Sequence, residues 1–474
     1  MNIRKSGTID MTTGNCLPQM LRFSLPILLG NLFQQLYTVV DGIVVGKHVS
    51  TEALAAVGVG FPITYMLTSL FLGIGLGASV LVSQFFGSRD MERIRKTLST
   101  MNAFLLIIAV PITLLGIFTI DPFLRLLHTD AIIFQDAKRY MVVYYVGMLP
   151  TLGYDVNANV MQGIGDSRTP LSILIASSIL HIILALLLVV VFPFGVAGVA
   201  WSTVAAQTFS WLLSIRLIRR KYPDIGAAFR HFGIEKALFF QSLKVGVPIS
   251  IQNALFAVGM MVMQPLINSV SPVFIAGYNA AVKVDGFIFM PVTSLAAAVT
   301  TFVGQNIGAR NIGRVREGVR AALVLAIGLC AILCAAVIPL RTQLMRLFTD
   351  DPAVISAGNA YLVRVIPLYV ISTVQYMYIG IIRGAGQTLV PTIAALVSLW
   401  FARVPAAYLL THYFGPNNMH WCYAIGWTMG LAILIPYYKW GKWNRGLTPK
   451  NPDKTEEMTC DVTSASGRSQ RSSV

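Results

Sequence analysis

The sequence repeats itself. Gly163-x-Gly165-x4-Pro170 returns 221 residues later as Gly384-x-Gly386-x4-Pro391, and Gln84-x2-Gly87-x-Arg89 returns at the same interval as Gln305-x2-Gly308-x-Arg310. Pro26 with Pro248, Arg93 and Arg95 with Arg314 and Arg316, Tyr140 with Tyr361, and Ala200-Trp201-Ser202 with Gly426-Trp427-Thr428 extend the match at offsets that drift by a few residues. Whatever one half folds into, the other half folds into as well.

The half that is repeated is a membrane unit. Only 12% of residues are charged and 55% are apolar, too few charges to keep a chain of this length wetted. About twelve apolar stretches reach spanning length, at 21–45, 55–86, 98–120, 139–162, 170–192 and 196–217, then 245–268, 274–303, 318–340, 360–382, 390–411 and 420–440. The expected fold class is therefore an all-α integral membrane protein of twelve transmembrane helices. They form two parallel six-helix repeats, an N-lobe and a C-lobe, around a central cleft. Six spans per half return the chain to its starting side, so the pseudo-axis lies along the membrane normal, the layout of alternating-access transporters.

The expected organisation is a cytoplasmic N-terminus (1–20), the N-lobe (21–217), a basic linker (218–244), the C-lobe (245–440) and a polar, disordered tail (441–474). About three-quarters of the 36 Lys and Arg residues fall on the side of both termini, which places that side in the cytoplasm. The net charge of +16 is thereby a matter of topology and not a nucleic-acid surface. The first fifteen residues lack the apolar core of a cleavable signal, so the first span is expected to act as an uncleaved insertion signal. Cys330 and Cys334 share one span while Cys16, Cys422 and Cys460 are scattered, which fits neither a disulfide framework nor a zinc site.

Short motifs argue against catalysis. Gly73-x-Gly75-x-Gly77-x-Ser79 has no Gly-Lys-Ser/Thr and lies within a span, so it reads as close helix packing and not as a phosphate loop. His128-Thr129-Asp130 falls in an external loop. With no hydrolase pattern and no cofactor motif, the chain is not read as an enzyme, and an integral-membrane transferase lacks its constellation.

Function is sought among ionisable residues inside spans, where a charge costs roughly 2.5 to 3.5 kcal/mol or more. These are Asp41, Asp155, His181, Lys283, Asp285 and Arg403. Three carboxylates against two permanent cations leave one carboxylate for a coupling cation, and Lys283 and Asp285, two residues apart, need partners on other helices. The expected pairing sets Lys283 or Arg403 against Asp155 or Asp285 across the cleft. Around them, Asp155, Asn159 and Gln162 make one stripe, and Gln34, Tyr37, Thr38 and Asp41 another. Asn253, Phe256, Met260 and Met263 line one face of the seventh span, and Tyr369, Ser372, Thr373 and Tyr376 one face of the tenth.

The Gly165-Asp166-Ser167-Arg168-Thr169-Pro170 loop, Phe23-Ser24-Leu25-Pro26 leading to Asp41-Gly42, and Gln84-Phe85-Phe86-Gly87 within a doubled six-span layout resemble the multidrug and toxic compound extrusion (MATE) family over nearly the whole chain. The resemblance implies export of amphipathic or cationic small molecules in exchange for H⁺ or Na⁺ and a bacterial cytoplasmic (inner) membrane. Asp41 matches the family's first-span cation-binding acid, with Na⁺ as one candidate ion there, and Asp155 is a second candidate for ion coupling. No cofactor and no nucleic acid are expected, only a small-molecule substrate and the bilayer, with the monomer as the working unit. His181-Ile-Ile-Leu-Ala185 stands where many relatives carry an Asn and then an Asp, and Gln252-Asn253 brings no acid to the seventh span. The alternative is a flippase or exporter of an anionic lipid-linked or other amphiphile, favoured by an excess of cations along the cleft.

Overall fold

A computed structural model describes residues 7–126, 129–192, 194–230 and 232–445. His128 and most of the expected tail, 446–474, lie outside the described residues. The described secondary structure is helical throughout.

Twelve spans follow in order. The first half comprises α1 (Cys16–His48), α2 (Thr51–Gly87), α3 (Met91–Leu126), α4 (Ala131–Val146 and Met148–Gly163), α5 (Arg168–Val191) and α6 (Val196–Lys221). The second comprises α7 (Lys236–Asn268), α8 (Pro272–Gly308), α9 (Ile312–Arg346), α10 (Pro352–Gly384), α11 (Leu389–Phe414) and α12 (Trp421–Trp440). Nine of these are long and apolar enough to cross a bilayer by length and composition alone. The other three are α4, cut in two at Gly147, α6, diluted by Ser, Thr and a basic end, and α12, rich in Trp and Tyr.

The repeat is written into the helix starts. Ser50 caps α2 by accepting from the Ala53 amide at 3.0 Å, and Ser271 caps α8 by accepting from Phe274 at 3.1 Å. Asp90 caps α3 through Arg93 at 3.0 Å, and Asn311 caps α9 through Arg314 at 3.1 Å. Asp130 caps α4 through Ile132 at 3.0 Å, and Asp351 caps α10 through Ala353 at 2.8 Å. Each cap satisfies an amide that the helix cannot, worth about 1 kcal/mol, and each pair is 221 residues apart. Left-handed backbone recurs at the same interval: Arg89 (φ 62°) with Arg310 (φ 58°), and Gly165 (φ 89°) with Gly386 (φ 84°). α4 breaks at Gly147, and α10 breaks at the matching place through a 3₁₀ turn over Ile366–Leu368 that contains Pro367.

The loop after Gly165 is a built turn. Asp166 is buried and accepts from the Thr169 amide at 3.0 Å and the Tyr222 hydroxyl at 2.7 Å, which ties the start of α5 to the end of α6. The linker carries short helical turns over Pro223–Gly226 and Ala227–Phe229. It lies with Arg89, Arg93, Arg310 and Arg314 on one end of the molecule, called the basic face below.

The two halves meet through α1 and α2 on one side and α7 and α8 on the other. Gly73 and Gly77 of α2 lie against Gly246 and Ser250 of α7, where a Cβ on Gly73 would stand 2.8 Å from the Gly246 carbonyl oxygen. The glycine motif therefore serves close helix packing, as the sequence suggests.

Candidate functional site: a cleft closed at the basic face

Interlobe hydrogen bonds cluster between the basic face and mid-depth. The Gln84 side chain donates to the Gly384 carbonyl at 3.1 Å, and Gln305 donates to the Gly163 carbonyl at 3.2 Å. These are the same bond, made once by each half to the other. Gly87 lies against the Gln305 backbone and Gly308 against the Gln84 backbone, so neither position accepts a side chain without separating the lobes. Higher up, Asn31 of α1 donates to Ser294 of α8 at 3.2 Å, and the Ser250 hydroxyl donates to the Leu70 carbonyl. Beyond this level Gln34 and Leu36 of α1 and Phe256 of α7 are exposed.

A strap from the N-terminus lies across the closed end. The Ile9 amide donates to Gly165 of the first half at 2.9 Å, and the Met11 amide donates to Gln305 Oε1 of the second at 3.0 Å. Asn306 and Arg314 both donate to the Met11 carbonyl at 3.0 Å, and Arg89 pairs with Asp10 at 2.5 Å. Met11 is fully buried. Partial burial works against the charged Asp10 carboxylate, but the Thr12 hydroxyl and amide and the Arg89 guanidinium outweigh it and hold Asp10 below the usual carboxylate range.

Within the first half, Asp41 and His181 come together. Asp41 Oδ1 lies 3.5 Å from His181 Nε2, with the His181 side chain 3% and the Asp41 side chain 17% exposed. His181 Nε2 also lies 3.2 Å from the hydroxyls of Ser202 and Thr203 on α6, and its Nδ1 is buried without a hydrogen-bond partner. Tyr37 stands edge-on to the imidazole at 4.8 Å between centroids. Tyr37 is within electrostatic range of both Asp41 and Asp155, and Tyr144, which hydrogen-bonds Thr68, is within range of Asp155. Asp155 borders a narrow, mainly apolar cavity with Phe71, Ile74 and Met101. Asn159 turns back to donate to the Asp155 backbone carbonyl at 2.8 Å, and Gln162, immediately before Gly163, is half-buried. Gln34, exposed, holds the Thr38 hydroxyl through its backbone carbonyl at 3.0 Å.

The second half gathers a different set. The Tyr361 hydroxyl donates to Asp285 Oδ2 at 3.1 Å, and the hydroxyls of Tyr361 and Tyr278 each lie 3.3 Å from that of Tyr423. Arg403, at the end of a π-helical segment over Val397–Arg403, places its Cζ 3.8 Å from the Tyr423 ring centroid. π-segments displace side chains from the regular helical face, and here one turns Arg403 onto an aromatic face. Arg403 and Asp285 lie within electrostatic range of each other but make no ion pair within 4.0 Å among the described residues. Tyr376 meets Phe289 edge-on at 4.8 Å, and Asn253 and Met260 are half-buried on α7.

The structure departs from the expected pairing across the cleft. Lys283 is exposed, with its Nζ 5.7 Å from the Phe348 ring centroid at the far end of the molecule, and it joins neither carboxylate. Its depth along the sequence suggested a buried charge, but its position on α8 turns it outward. Asp285 and Arg403 share one lobe, and the partner of Asp41 is His181 of its own lobe. Part of the Tyr369 stripe is ordinary core, since Tyr369, Ser372 and Thr373 are buried, with Tyr369 5.4 Å from Trp427. Sequence reasoning also missed the tyrosines that surround both sites, Tyr140 and Tyr144 in one lobe and Tyr278, Tyr361 and Tyr423 in the other. The recurrence of Tyr140 as Tyr361 was their one visible signal.

Comparison with known proteins agrees with this architecture. The MatE family matches the chain twice, over residues 26–187 and 248–409. The chain is 29% identical over 92% of its length, and 97% of the relative's, to the probable multidrug resistance protein YpnP of Bacillus subtilis (strain 168). It is 25% identical over 84% of its length, and 86% of the relative's, to the probable multidrug resistance protein NorM of Thermotoga maritima. Among solved structures, an outward-facing multidrug resistance MATE transporter superposes with a TM-score of 0.84 at 22% identity, covering 92% of this chain and 97% of that one, which shows the shared fold. With both halves matched in register and the twelve-helix, two-lobe cleft in place, the chain belongs to the MatE family of membrane transporters.

Proposed function

We propose that this transporter is an H⁺-coupled antiporter of the bacterial inner membrane that exports amphipathic and cationic small molecules by alternating access, as a monomer whose two lobes supply both walls of the cleft. The observation that carries the proposal is the contact between Asp41 and His181. A buried carboxyl beside an imidazole offers a proton two adjoining sites within one lobe, and each proton taken up changes the charge that a cationic substrate meets. The imidazole adds a nitrogen proton acceptor beside the carboxyl and no oxygen ligand for Na⁺, which favours H⁺ as the coupling ion. Asp155 serves as a second carboxyl on the same route, and Tyr37, Tyr140 and Tyr144 line it. Gln34, Asn159, Gln162, Asn253, Met260, Asp285, Tyr376 and Arg403 border the cleft that holds the substrate, with Lys283 outside it.

The basic face is cytoplasmic in this reading, by its excess of Lys and Arg. The structure is then closed inward and open outward, the state that releases substrate and takes up a proton. Binding of that proton at Asp41 favours the return to the inward-open state by a differential affinity for the two states.

The test uses purified protein in proteoliposomes with a fluorescent organic cation, under separately imposed pH and Na⁺ gradients. Efflux that follows the pH gradient and ignores Na⁺ is the expected result. Efflux driven by Na⁺ at matched pH would replace H⁺ as the coupling ion, and efflux indifferent to both would remove the antiporter reading.

A further inference from the structure

The charges inside the two lobes are segregated. In the first lobe Asp41 and Asp155 face a histidine and tyrosines, with no Lys or Arg among their electrostatic neighbours in the described residues. In the second lobe Arg403 has Asp285 nearby, but among the described residues Arg383 has no carboxylate partner and lies in electrostatic range of the Tyr376 hydroxyl.

Arg383 is the next-to-last residue of α10, one position before Gly384, whose carbonyl receives the gate bond from Gln84. Its pseudo-symmetric counterpart 221 residues earlier is the neutral Gln162. Arg383 Nη2 donates to Gln252 Oε1 of α7 at 2.7 Å, and the same oxygen lies 3.5 Å from the Thr392 hydroxyl of α11. This neutral clamp fixes the guanidinium without neutralising it, while Arg383 Nε is buried and has no acceptor. Two turns along the same face of α10 stands Tyr376, in electrostatic range of Arg383, of Arg403 and of Tyr65 on α2 of the opposite lobe. That reach across to α2 puts the group on the cleft. Both Arg383 and Tyr376 retain partial exposure.

A guanidinium taken out of water, clamped by an amide and left with a free N–H is costly unless an anion completes it. Its planar fork matches an oxyanion better than any other ligand class. We propose that Arg383, with Tyr376 beside it, is the receptor for an oxyanion group, a carboxylate, sulfonate or phosphate, at the floor of the second lobe's side of the cleft. The inference rests on the cleft being the substrate path, and it narrows the substrate class: an amphiphile that carries an anionic group as well as a cationic one spans the two lobes, cation toward Asp41 and Asp155, anion toward Arg383. An anion held next to Gly384 also lies against the gate that must open for the next step.

The test uses a matched dye pair, rhodamine 110, whose carboxylate is free, and rhodamine 123, its methyl ester, with full-length protein in detergent. Wild type is expected to bind the free acid more tightly than the ester. Arg383→Gln should weaken the free acid about tenfold or more and leave the ester within about twofold, with Arg383→Lys intermediate. Equal losses for both dyes, or none for either, overturn the substrate-anion assignment. A second arm measures thermal stabilisation by inorganic phosphate. Stabilisation of wild type that is absent in Arg383→Gln establishes the oxyanion site even if neither dye binds, in which case the transport reading fails and the site stands. Arg383→Gln that keeps the wild-type preference for the free acid, or wild type that shows no such preference, together with no Arg383-dependent phosphate effect leaves the proposal refuted.

Discussion

The paired glutamines of the basic face make the strongest quantitative prediction. Gln84→Leu keeps the side-chain volume close but leaves the Gly384 carbonyl without its donor in the closed gate. Gln305→Leu strands two groups, the Gly163 carbonyl and the Met11 amide, in a position where Gln305 itself is fully buried. Each orphaned buried group costs about 1 to 3 kcal/mol. The penalty applies only while the gate is closed, because opening admits water to the same groups. Gln84→Leu should therefore shift the closed-to-open ratio by about 5- to 150-fold, and Gln305→Leu by the larger factor because it strands two groups. Spin labels at Ser88 and Ala309, exposed on opposite sides of the gate, report the separation by double electron-electron resonance in a background free of native cysteines. A closed wild-type distance, a mixed distribution in Gln84→Leu and a mainly open one in Gln305→Leu are expected. Folded Gln305→Leu protein with the wild-type distance distribution would refute the gate assignment.

Three further outcomes follow from the packing and the charges. Gly77→Val at the α2–α7 contact should lower thermal stability and abolish closure at the basic face, since a Cβ there meets Gly246 backbone; normal melting and normal transport would contradict the close-packing role. Asp285→Asn should destabilise the second lobe by about 1 to 3 kcal/mol by removing the carboxylate that accepts from Tyr361 and faces Arg403, and adding Arg403→Met should recover part of that loss, read by melting of the single and double variants. Because Asp10 is held below the usual carboxylate range, the Arg89–Asp10 latch is present above pH about 4 and is lost as pH falls through the depressed value. Hydrogen exchange at the Met11 and Thr12 amides should accelerate relative to its intrinsic rate only below that range, and acceleration near pH 6 would exclude Asp10 as the cause.

The parts of the fold that were legible are those encoded locally and twice. Cap residues such as Ser50 and Ser271, the left-handed Gly165 and Gly386, and the Gln84 and Gln305 motifs act through their own neighbourhood, so repetition in sequence became repetition in structure. Residues whose role depends on which face of a long helix turns inward were less readable. Lys283 and Asp285 lie two apart on α8, and depth along the helix cannot say that one is exposed and the other buried. Arg383 escaped notice for a different reason: it sits at the last turn of α10, where an arginine reads as interfacial charge, and only the packing of α7 across it encloses the guanidinium. His181 was visible as an intramembrane histidine, but its partnership with Asp41 joins α5 to α1 and has no sequence spacing to betray it.

The account rests on Asp41 as the group through which the proton drives export. Uphill efflux of a fluorescent organic cation from proteoliposomes under an imposed pH gradient, compared between wild type and Asp41→Asn at equal reconstitution, tests it most directly. The amide keeps the shape beside His181 and Tyr37 but cannot exchange a charge, so Asp41→Asn is predicted to fold, to bind the dye with an affinity within a fewfold of wild type, and to lose gradient-driven efflux. Wild-type uphill efflux from folded Asp41→Asn would contradict the account and move the coupling role to Asp155.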